Sequence, residues 1–123
     1  MIQESIENYL ETILLLQKKQ GNVRSVDIAT EMGYSKPTIS IVLKKLHEEG
    51  YVRVDDTGSV LLTEAGREIA LHMYDRHLLL TNMLIRLGVD AETARADACK
   101  IEHDLSETSI QCIRRHMAEH QDA

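Results

Sequence analysis

Apolar residues recur every three or four positions through most of the chain, which is the spacing of an amphipathic helix. The first stripe consists of Ile6, Leu10, Ile13 and Leu14. It predicts a helix over about residues 3–19. Two shorter stripes predict helices over residues 26–32 and 36–49, with Ser25 and Ser35 as their N-caps. Three helices are therefore expected to open the chain.

A β-rich segment follows the third predicted helix. Residues 51–54 and 59–62 are short runs rich in valine and leucine, and they flank the polar segment 55–58. Such a segment between two short apolar runs is typical of a hairpin turn. We therefore expect two antiparallel strands joined at this turn.

The remainder of the chain has the pattern of helices again. After Gly66 in the first turn, no glycine or proline occurs before Gly88, so one long helix is predicted from Glu64 to about Leu87. Asp90 is the expected N-cap of a fifth helix that runs to about Leu105. Ser106 is the expected start of a sixth helix, which leads into a polar tail.

This order of elements predicts the fold class. The protein is expected to be mainly α-helical, with an N-terminal winged helix-turn-helix over residues 1–63 that includes a small β-hairpin wing. An all-helical domain is expected over residues 64–123, with the long helix 64–87 linking the two. The second domain is too short for an independent core, so we expect it to pack against a second copy.

The composition indicates the cellular compartment in which we expect the protein. No run approaches the roughly 18 apolar residues of a membrane span, and no charged-then-apolar leader opens the chain, so we expect no membrane partner and a cytoplasmic location. Cys99 and Cys112 are too few for a disulfide scaffold and fit a reducing compartment. The 123 residues carry a formal net charge of −6, which by itself argues against non-specific binding to nucleic acid.

The third predicted helix is locally basic, and this local charge favours binding to nucleic acid. Between Ser35 and Lys45 lie three lysines and no acidic residue, which suits contacts with phosphates and base edges. In a helix-turn-helix, this helix enters the major groove. The expected DNA contacts are Ser35, Lys36, Pro37, Thr38, Ser40, Lys44, Lys45 and, on the first wing strand, Arg53.

Two other interpretations of this surface stay open. A short helix rich in serine and lysine is also compatible with a merely solvated face, and winged helices also serve as protein-interaction modules. Residues 1–70 hold 8 Lys and Arg against 11 Asp and Glu, so the basic face is narrow. Binding to DNA is therefore expected to be weak unless two copies act together.

A second set of residues has the chemistry of a metal site. On a helix, Cys99, Glu102 and His103 would share one face and offer a thiolate, a carboxylate and an imidazole, which suit transition metals. Further candidate ligands are Asn8 and Glu11 on the first helix and His77 on the long helix. Each of these groups alone is weak support, because nothing in the spacing shows that the three helices meet.

Five blocks of sequence give a reason for the three helices to meet. They are residues 7–13 (ENYLETI), 35–40 (SKPTIS), 58–66 (GSVLLTEAG), 76–77 (RH) and 99–106 (CKIEHDLS). Together these blocks resemble the diphtheria toxin repressor and manganese transport regulator family of metal-dependent transcriptional repressors. The last block is the most specific, with Glu-His three residues after an acid or a cysteine.

The resemblance implies a homodimer in which divalent metal, bound between the domains, sets the recognition helices for a palindromic operator in double-stranded DNA. The family's ligand positions correspond to Glu11, His77, Glu102 and His103. Asn8 and Cys99 depart from the manganese-type pattern, which has an aspartate and a glutamate there. The iron-type branch has a cysteine at the second of these positions.

An amide and a thiolate in place of two carboxylates make the expected site softer. We therefore expect Fe²⁺ ahead of Mn²⁺ as the cofactor, with Co²⁺ or Zn²⁺ as alternatives in vitro. On the recognition helix the family often has glutamine where this chain has Ile41. Isoleucine can contact a thymine methyl group but cannot hydrogen-bond a base, so the operator sequence does not transfer.

The expected function is a cytoplasmic, metal-dependent repressor of genes for metal uptake and homeostasis, with no small-molecule substrate. An enzyme is not expected, because the sequence has no glycine-rich phosphate loop, Ser/His/Asp set or HExxH motif. The alternative is a metal-independent winged-helix dimer that acts as a protein-interaction or redox-responsive regulator. In that case Cys99 is a buried thiol or a redox sensor.

Overall fold

The computed structural model describes the backbone of residues 2–120 and the side chains of residues 6–120. Its elements are α1 (Ile2–Gln20), α2 (Ser25–Met32), α3 (Lys36–Glu48), β1 (Val52–Val54), β2 (Val60–Leu62), α4 (Glu64–Arg86), α5 (Ala91–Ile101) and α6 (Glu107–Glu119). The predicted fold class, a winged helix-turn-helix followed by helices, is confirmed. The chain divides into two compact units, Met1–His72 and Met73–Ala123. Among the described residues, no helix combines the length and apolar character that crossing a membrane requires.

The first unit has its core where the stripes of α1, α2 and α3 meet the base of the hairpin. The core side chains that are at most 1% exposed are Leu10, Ile13, Leu14, Val23, Ile28, Ile39, Leu46, Val52, Val60 and, on α4, Ala70. Strands β1 and β2 pair antiparallel, with Val54 opposite Val60. Burial of these side chains holds the recognition helix and the hairpin to one scaffold.

The hairpin is also attached through its backbone. The N–H of Val60 donates a hydrogen bond of 2.7 Å to the carbonyl of Val23, and Arg24 forms an antiparallel bridge with Ser59. At the start of α4, a Cβ on Gly66 would lie 2.1 Å from the carbonyl oxygen of Tyr51. Glycine at this position therefore allows α4 to begin directly against the strand base.

The second unit contains the C-terminal part of α4 together with α5 and α6. Its buried centre is formed by Leu80, Ala98 and Ile110, one residue from each helix. Partly buried residues surround this centre, namely Leu79, Met83, Ile101, Leu105 and Ile113. This cluster is small, as expected for a unit of this length.

Three of the predicted N-caps are confirmed. The side chains of Ser35, Asp90 and Ser106 each accept a hydrogen bond from the backbone N–H three residues later, at 3.3, 3.0 and 3.1 Å respectively. The prediction for Ser25 is wrong, because it is already the first helical residue and Arg24 precedes it as the cap. The carboxylate of Asp27 compensates by accepting the Arg24 N–H at 2.8 Å.

The predicted end of the fifth helix is also wrong. Helix α5 ends at Ile101 rather than near Leu105, and residues 102–104 form a turn. The physical reason lies on α4, where the Arg76 guanidinium donates hydrogen bonds of 2.9 Å to the carbonyls of Glu102 and Leu105. These carbonyls accept hydrogen bonds from a side chain instead of from the backbone N–H groups of a continuing helix.

Candidate metal centre and nucleic-acid interface

Three of the predicted ligands meet inside the second unit. Helix α4 presents His77, and the turn after α5 presents Glu102 and His103. Nδ1 of His77 lies 3.0 Å from Oε2 of Glu102, and Nε2 of His103 lies 3.5 Å from Oε1 of Glu102. Each carboxylate oxygen therefore faces one imidazole nitrogen.

The three side chains of this cluster are largely shielded from water. The Glu102 side chain is fully buried, whereas those of His77 and His103 are 16% and 10% exposed. The buried Oε1 atom of Glu102 accepts no hydrogen bond from any residue that the structure describes. A buried carboxylate is costly unless a positive charge or a hydrogen-bond donor compensates it. One carboxylate and two imidazoles form a donor set that fits a divalent first-row metal.

Arg76 positions the turn that carries two of these ligands. Besides its bonds to the carbonyls of Glu102 and Leu105, its Nη2 atom lies 2.8 Å from Oε2 of Glu107 at the start of α6. Arg76 is 8% exposed, so these bonds are made largely away from water. The planar guanidinium thus holds this segment through bonds to two backbone carbonyls and to one carboxylate.

In the sequence, Arg76 stands out only as part of a family block, which does not indicate this role. A signal was present, because Arg76 lies in the buried stripe of α4 between Met73 and Leu80. A charged residue in a buried stripe has to be paired. The spacing did not reveal which carbonyls it would bind, since they are more than 25 positions away along the chain.

The remaining candidate ligands are placed differently. Asn8 and Glu11 lie three positions apart on α1 of the first unit, so they share one face of that helix. Glu11 is 3% exposed and Asn8 is partly exposed. Cys99 is exposed on α5, unlike the fully buried Glu102. Helix α5 ends at Ile101, but Glu102 keeps helical backbone angles and its N–H bonds to the carbonyl of Ala98, so Cys99 and Glu102 lie one helical turn apart.

The predicted DNA contacts of the first unit are all exposed. Helix α3 is oriented by a tight turn in which Gly33 has a φ of +73° and the N–H of Tyr34 bonds to the carbonyl of Ala29 at 3.0 Å. The exposed residues are Ser35, Lys36, Pro37, Thr38, Ser40, Lys44 and Lys45 on or at the start of α3, and Arg53 on β1. A groove of about 420 Å³ separates Lys44 from Val54 and Gly58 of the hairpin.

The tip of the wing is organised by one carboxylate. Oδ1 of Asp55 accepts hydrogen bonds from the N–H of Thr57 at 2.9 Å, its hydroxyl at 2.7 Å and the N–H of Ser59 at 3.0 Å. The Thr57 side-chain bond, followed by the Ser59 backbone bond, lowers the pKa of Asp55 from its usual 3.8. The turn is therefore most ordered when Asp55 is ionised.

Arg24 connects the helix-turn-helix to this tip. Its guanidinium donates a hydrogen bond of 2.5 Å to the carbonyl of Thr57, and Ser59 donates one to the side chain of Asn22. This contact could not be predicted from the sequence, because a lone arginine before a helix has no spacing signal. It sets where the wing stands relative to α3 within the first unit.

Comparison with known families matches the two halves of the chain separately. Residues 1–60 match the family described as iron dependent repressor, N-terminal DNA binding domain. Residues 63–122 match the iron dependent repressor, metal binding and dimerisation domain. Together the two matches cover nearly all of the chain.

Several curated proteins are similar to this chain over most of its length. The transcriptional regulator MntR of Escherichia coli O157:H7 is 36% identical over 95% of this chain and 76% of its own. The HTH-type transcriptional regulator MntR of Bacillus subtilis (strain 168) is 33% identical over 92% of this chain and 80% of its own. An uncharacterized HTH-type transcriptional regulator of Methanocaldococcus jannaschii is 33% identical over 97% of both chains.

Solved structures share the fold. A manganese-dependent transcriptional repressor in complex with manganese is 33% identical and superposes with a TM-score of 0.83, over 92% of this chain and 52% of that one. IdeR of T. acidophilum has a TM-score of 0.83 at 23% identity, over 91% of this chain and 53% of its own, which shows likeness of fold alone. This chain spans about half the length of these solved structures.

Proposed function

The chain belongs to the iron dependent repressor family of DNA-binding, metal-dependent transcriptional regulators, and on this premise we propose that it is a homodimeric repressor of metal-uptake and homeostasis genes. The observation that carries the proposal is the fully buried Glu102 carboxylate facing the imidazoles of His77 and His103. A bound divalent cation would compensate the buried carboxylate and increase affinity for the operator.

We assign the residues of this chain to three roles, which are metal binding, positioning of the ligands and contact with DNA. His77, Glu102 and His103 are proposed as metal ligands on the geometry above, and Glu11 and Asn8 on the family resemblance. Arg76 holds the turn that orients Glu102 and His103. The exposed lysines of α3, with Ser35, Pro37, Thr38, Ser40 and Arg53, are proposed to contact a palindromic operator in double-stranded DNA. No catalytic reaction is proposed.

Mn²⁺ is the metal we propose to activate the protein, with Fe²⁺ as its competitor. The expectation of Fe²⁺ depended on a thiolate in the site, and Cys99 is exposed on α5 while Glu102 is buried. The remaining donors are imidazole nitrogens and oxygens, which lack the soft character of sulfur. The names of the similar MntR proteins and of the manganese-bound repressor point the same way.

Binding of the full-length protein to DNA tests this proposal. An operator is first selected from a random double-stranded library with protein and Mn²⁺, and affinity is then measured with Mn²⁺, with Fe²⁺ under anaerobic conditions, and without metal. We expect tighter binding with metal, and loss of the response in His103→Ala. His116→Ala, which alters an exposed histidine of α6, is the matched control. Equal affinity with and without metal would contradict the proposal.

A further inference from the structure

Ile41 has an unusual place on the recognition helix. Its side chain is 72% exposed. At about 100° per residue it lies some 200° around α3 from the fully buried Ile39, and so opposite the buried stripe. Pro37, one turn before it, and Lys44 and Lys45, one turn after it, flank Ile41 on the outer face.

The fold gives no reason for an isoleucine at this position. A side chain this exposed gains little from burial, and isoleucine forms helices less well than lysine, glutamine or alanine. Single exposed apolar residues are common on protein surfaces. Ile41 differs from such residues because it lies within a helix that carries Lys36, Lys44 and Lys45 and no acidic residue before Glu48.

The chemistry of Ile41 restricts what it can recognise. Its side chain has no hydrogen-bond donor or acceptor, so it cannot read the polar edge of a base pair. In the major groove, the 5-methyl group of thymine is the apolar feature that distinguishes one natural base pair from the others. Contact with that methyl group would remove apolar surface of both partners from water.

Resting on the proposed function, we propose that Ile41 recognises one thymine in each operator half-site through its 5-methyl group. The flanking lysines supply the sequence-independent attraction to phosphate, and Ile41 supplies discrimination at one base pair. Burial of one methyl group corresponds to about fourfold in affinity for each half-site, and so to about fifteenfold for a dimer on a palindrome.

The test uses operators selected by the wild-type protein with Mn²⁺, in which each thymine is replaced in turn by deoxyuridine. Deoxyuridine keeps every hydrogen-bonding group of thymine and lacks only the methyl group. We expect one symmetry-related pair of thymines at which the replacement weakens wild-type binding about fifteenfold. In Ile41→Ala, which improves helix propensity, the same replacement is expected to change affinity less than twofold.

Two further variants are informative. Ile41→Val keeps branched apolar surface and is expected to retain most of the thymine preference. Val26→Ala removes an exposed apolar side chain from α2 instead and is expected to leave the deoxyuridine profile unchanged. A profile with no sensitive thymine, or one that is the same in wild type and Ile41→Ala, would overturn the inference while metal-dependent binding still stood. Failure to select any sequence with Mn²⁺ would overturn both proposals.

Discussion

The guanidinium of Arg76 on α4 donates a hydrogen bond of 2.9 Å to the backbone carbonyl of Glu102, 26 positions later in the chain. Arg76 thus touches the backbone of the residue whose carboxylate faces His77 and His103. We expect its effect on a bound metal to be indirect, since it orients the turn that carries two of the proposed donors. Such outer partners of metal ligands tune affinity without touching the ion.

Arg76→Lys is expected to weaken metal binding more than it weakens the fold. Lysine keeps the positive charge but cannot bond two carbonyls and a carboxylate in one plane. We expect the Mn²⁺ concentration for half-maximal DNA binding to rise about 10- to 100-fold. DNA binding at saturating Mn²⁺ is expected to recover to the wild-type level, which a general loss of folding would not allow.

Glu107→Gln is the control for this variant. It replaces the carboxylate that pairs with Arg76 by a neutral amide of the same shape, and the Glu107 side chain is 54% exposed, so the contribution of this pair is small. We expect less than a threefold change in the Mn²⁺ requirement. An Arg76→Lys protein with the same Mn²⁺ requirement as wild type would refute the positioning role.

Glu102→Gln is expected to abolish stabilisation by metal. A ligand that binds only the folded state stabilises it by about 2.7 kcal/mol at 100 times its Kd. Glutamine fills the same buried space but offers no negative charge, so the increase in Tm with Mn²⁺ should disappear. Asp104→Asn, an exposed neighbour in the same turn, should keep the full increase. Wild-type stabilisation of Glu102→Gln by Mn²⁺ would exclude Glu102 as a ligand.

Cys99→Ser is expected to leave activation by Mn²⁺ within about twofold of wild type. The reason is the exposure of Cys99 on α5, while the other donors of the second unit are largely buried. Titration of DNA binding with Mn²⁺ measures this directly. The Co²⁺-loaded protein gives an independent check, because a thiolate ligand produces a charge-transfer band in the near ultraviolet. Such a band, lost in Cys99→Ser, would restore the thiolate to the site and with it the expectation of Fe²⁺.

Stability of the wing is expected to depend on pH through Asp55. Its pKa is lowered in the folded protein by the Thr57 and Ser59 hydrogen bonds, so its contribution to stability is present above the unfolded value of about 3.8. That contribution is lost as the pH falls through the lower pKa of the folded state. The difference in free energy of unfolding between wild type and Asp55→Asn should be constant from pH 7 to about 5 and shrink below about 4.

Denaturant titrations of the metal-free proteins measure this difference. Asp90, whose pKa is also lowered, is present in both proteins, so its contribution cancels. A difference that stays constant down to pH 3 would show that the Asp55 carboxylate has no part in the turn.

Gly66→Ala is expected to destabilise the protein, although alanine is the better helix former by about 1 kcal/mol. The added Cβ would lie 2.1 Å from the carbonyl oxygen of Tyr51, so the base of the hairpin and α4 would have to separate. Overpacking of this kind costs about 1–3 kcal/mol. Ala65→Gly, at an exposed neighbour, should cost only about 0.5–1 kcal/mol. A higher Tm for Gly66→Ala would contradict the close approach.

Most of the fold could be predicted from local pattern. The stripe of α1, the Ser35 cap of α3 and the hairpin turn at Asp55 each combine a spacing with a residue of matching chemistry. The end of α5 could not be predicted, since the apolar spacing continues to Leu105. What ends the helix is a side chain on α4, and such a contact has no local signal.

In the candidate site, too, some features could be predicted from the sequence and others could not. Glu102 and His103 could be found because the dipeptide and its neighbours resemble a family block. The exposure of Cys99 could not, because it depends on which elements pack against α5 and not on the spacing of residues along it. The contact of Arg24 with the tip of the wing could not be predicted either, because its partner Thr57 lies more than 30 positions away in the chain.

Strand β2 has backbone neighbours along both sides, since β1 pairs with one edge and Val23 and Arg24 lie along the other. An open strand edge is a template on which other chains can add strands and aggregate. The hairpin also exposes apolar side chains at Val54 and Leu61, which would strengthen such an assembly. The segment before α2 covers the start of this β2 edge, so an added strand could not pair with Ser59 and Val60 there.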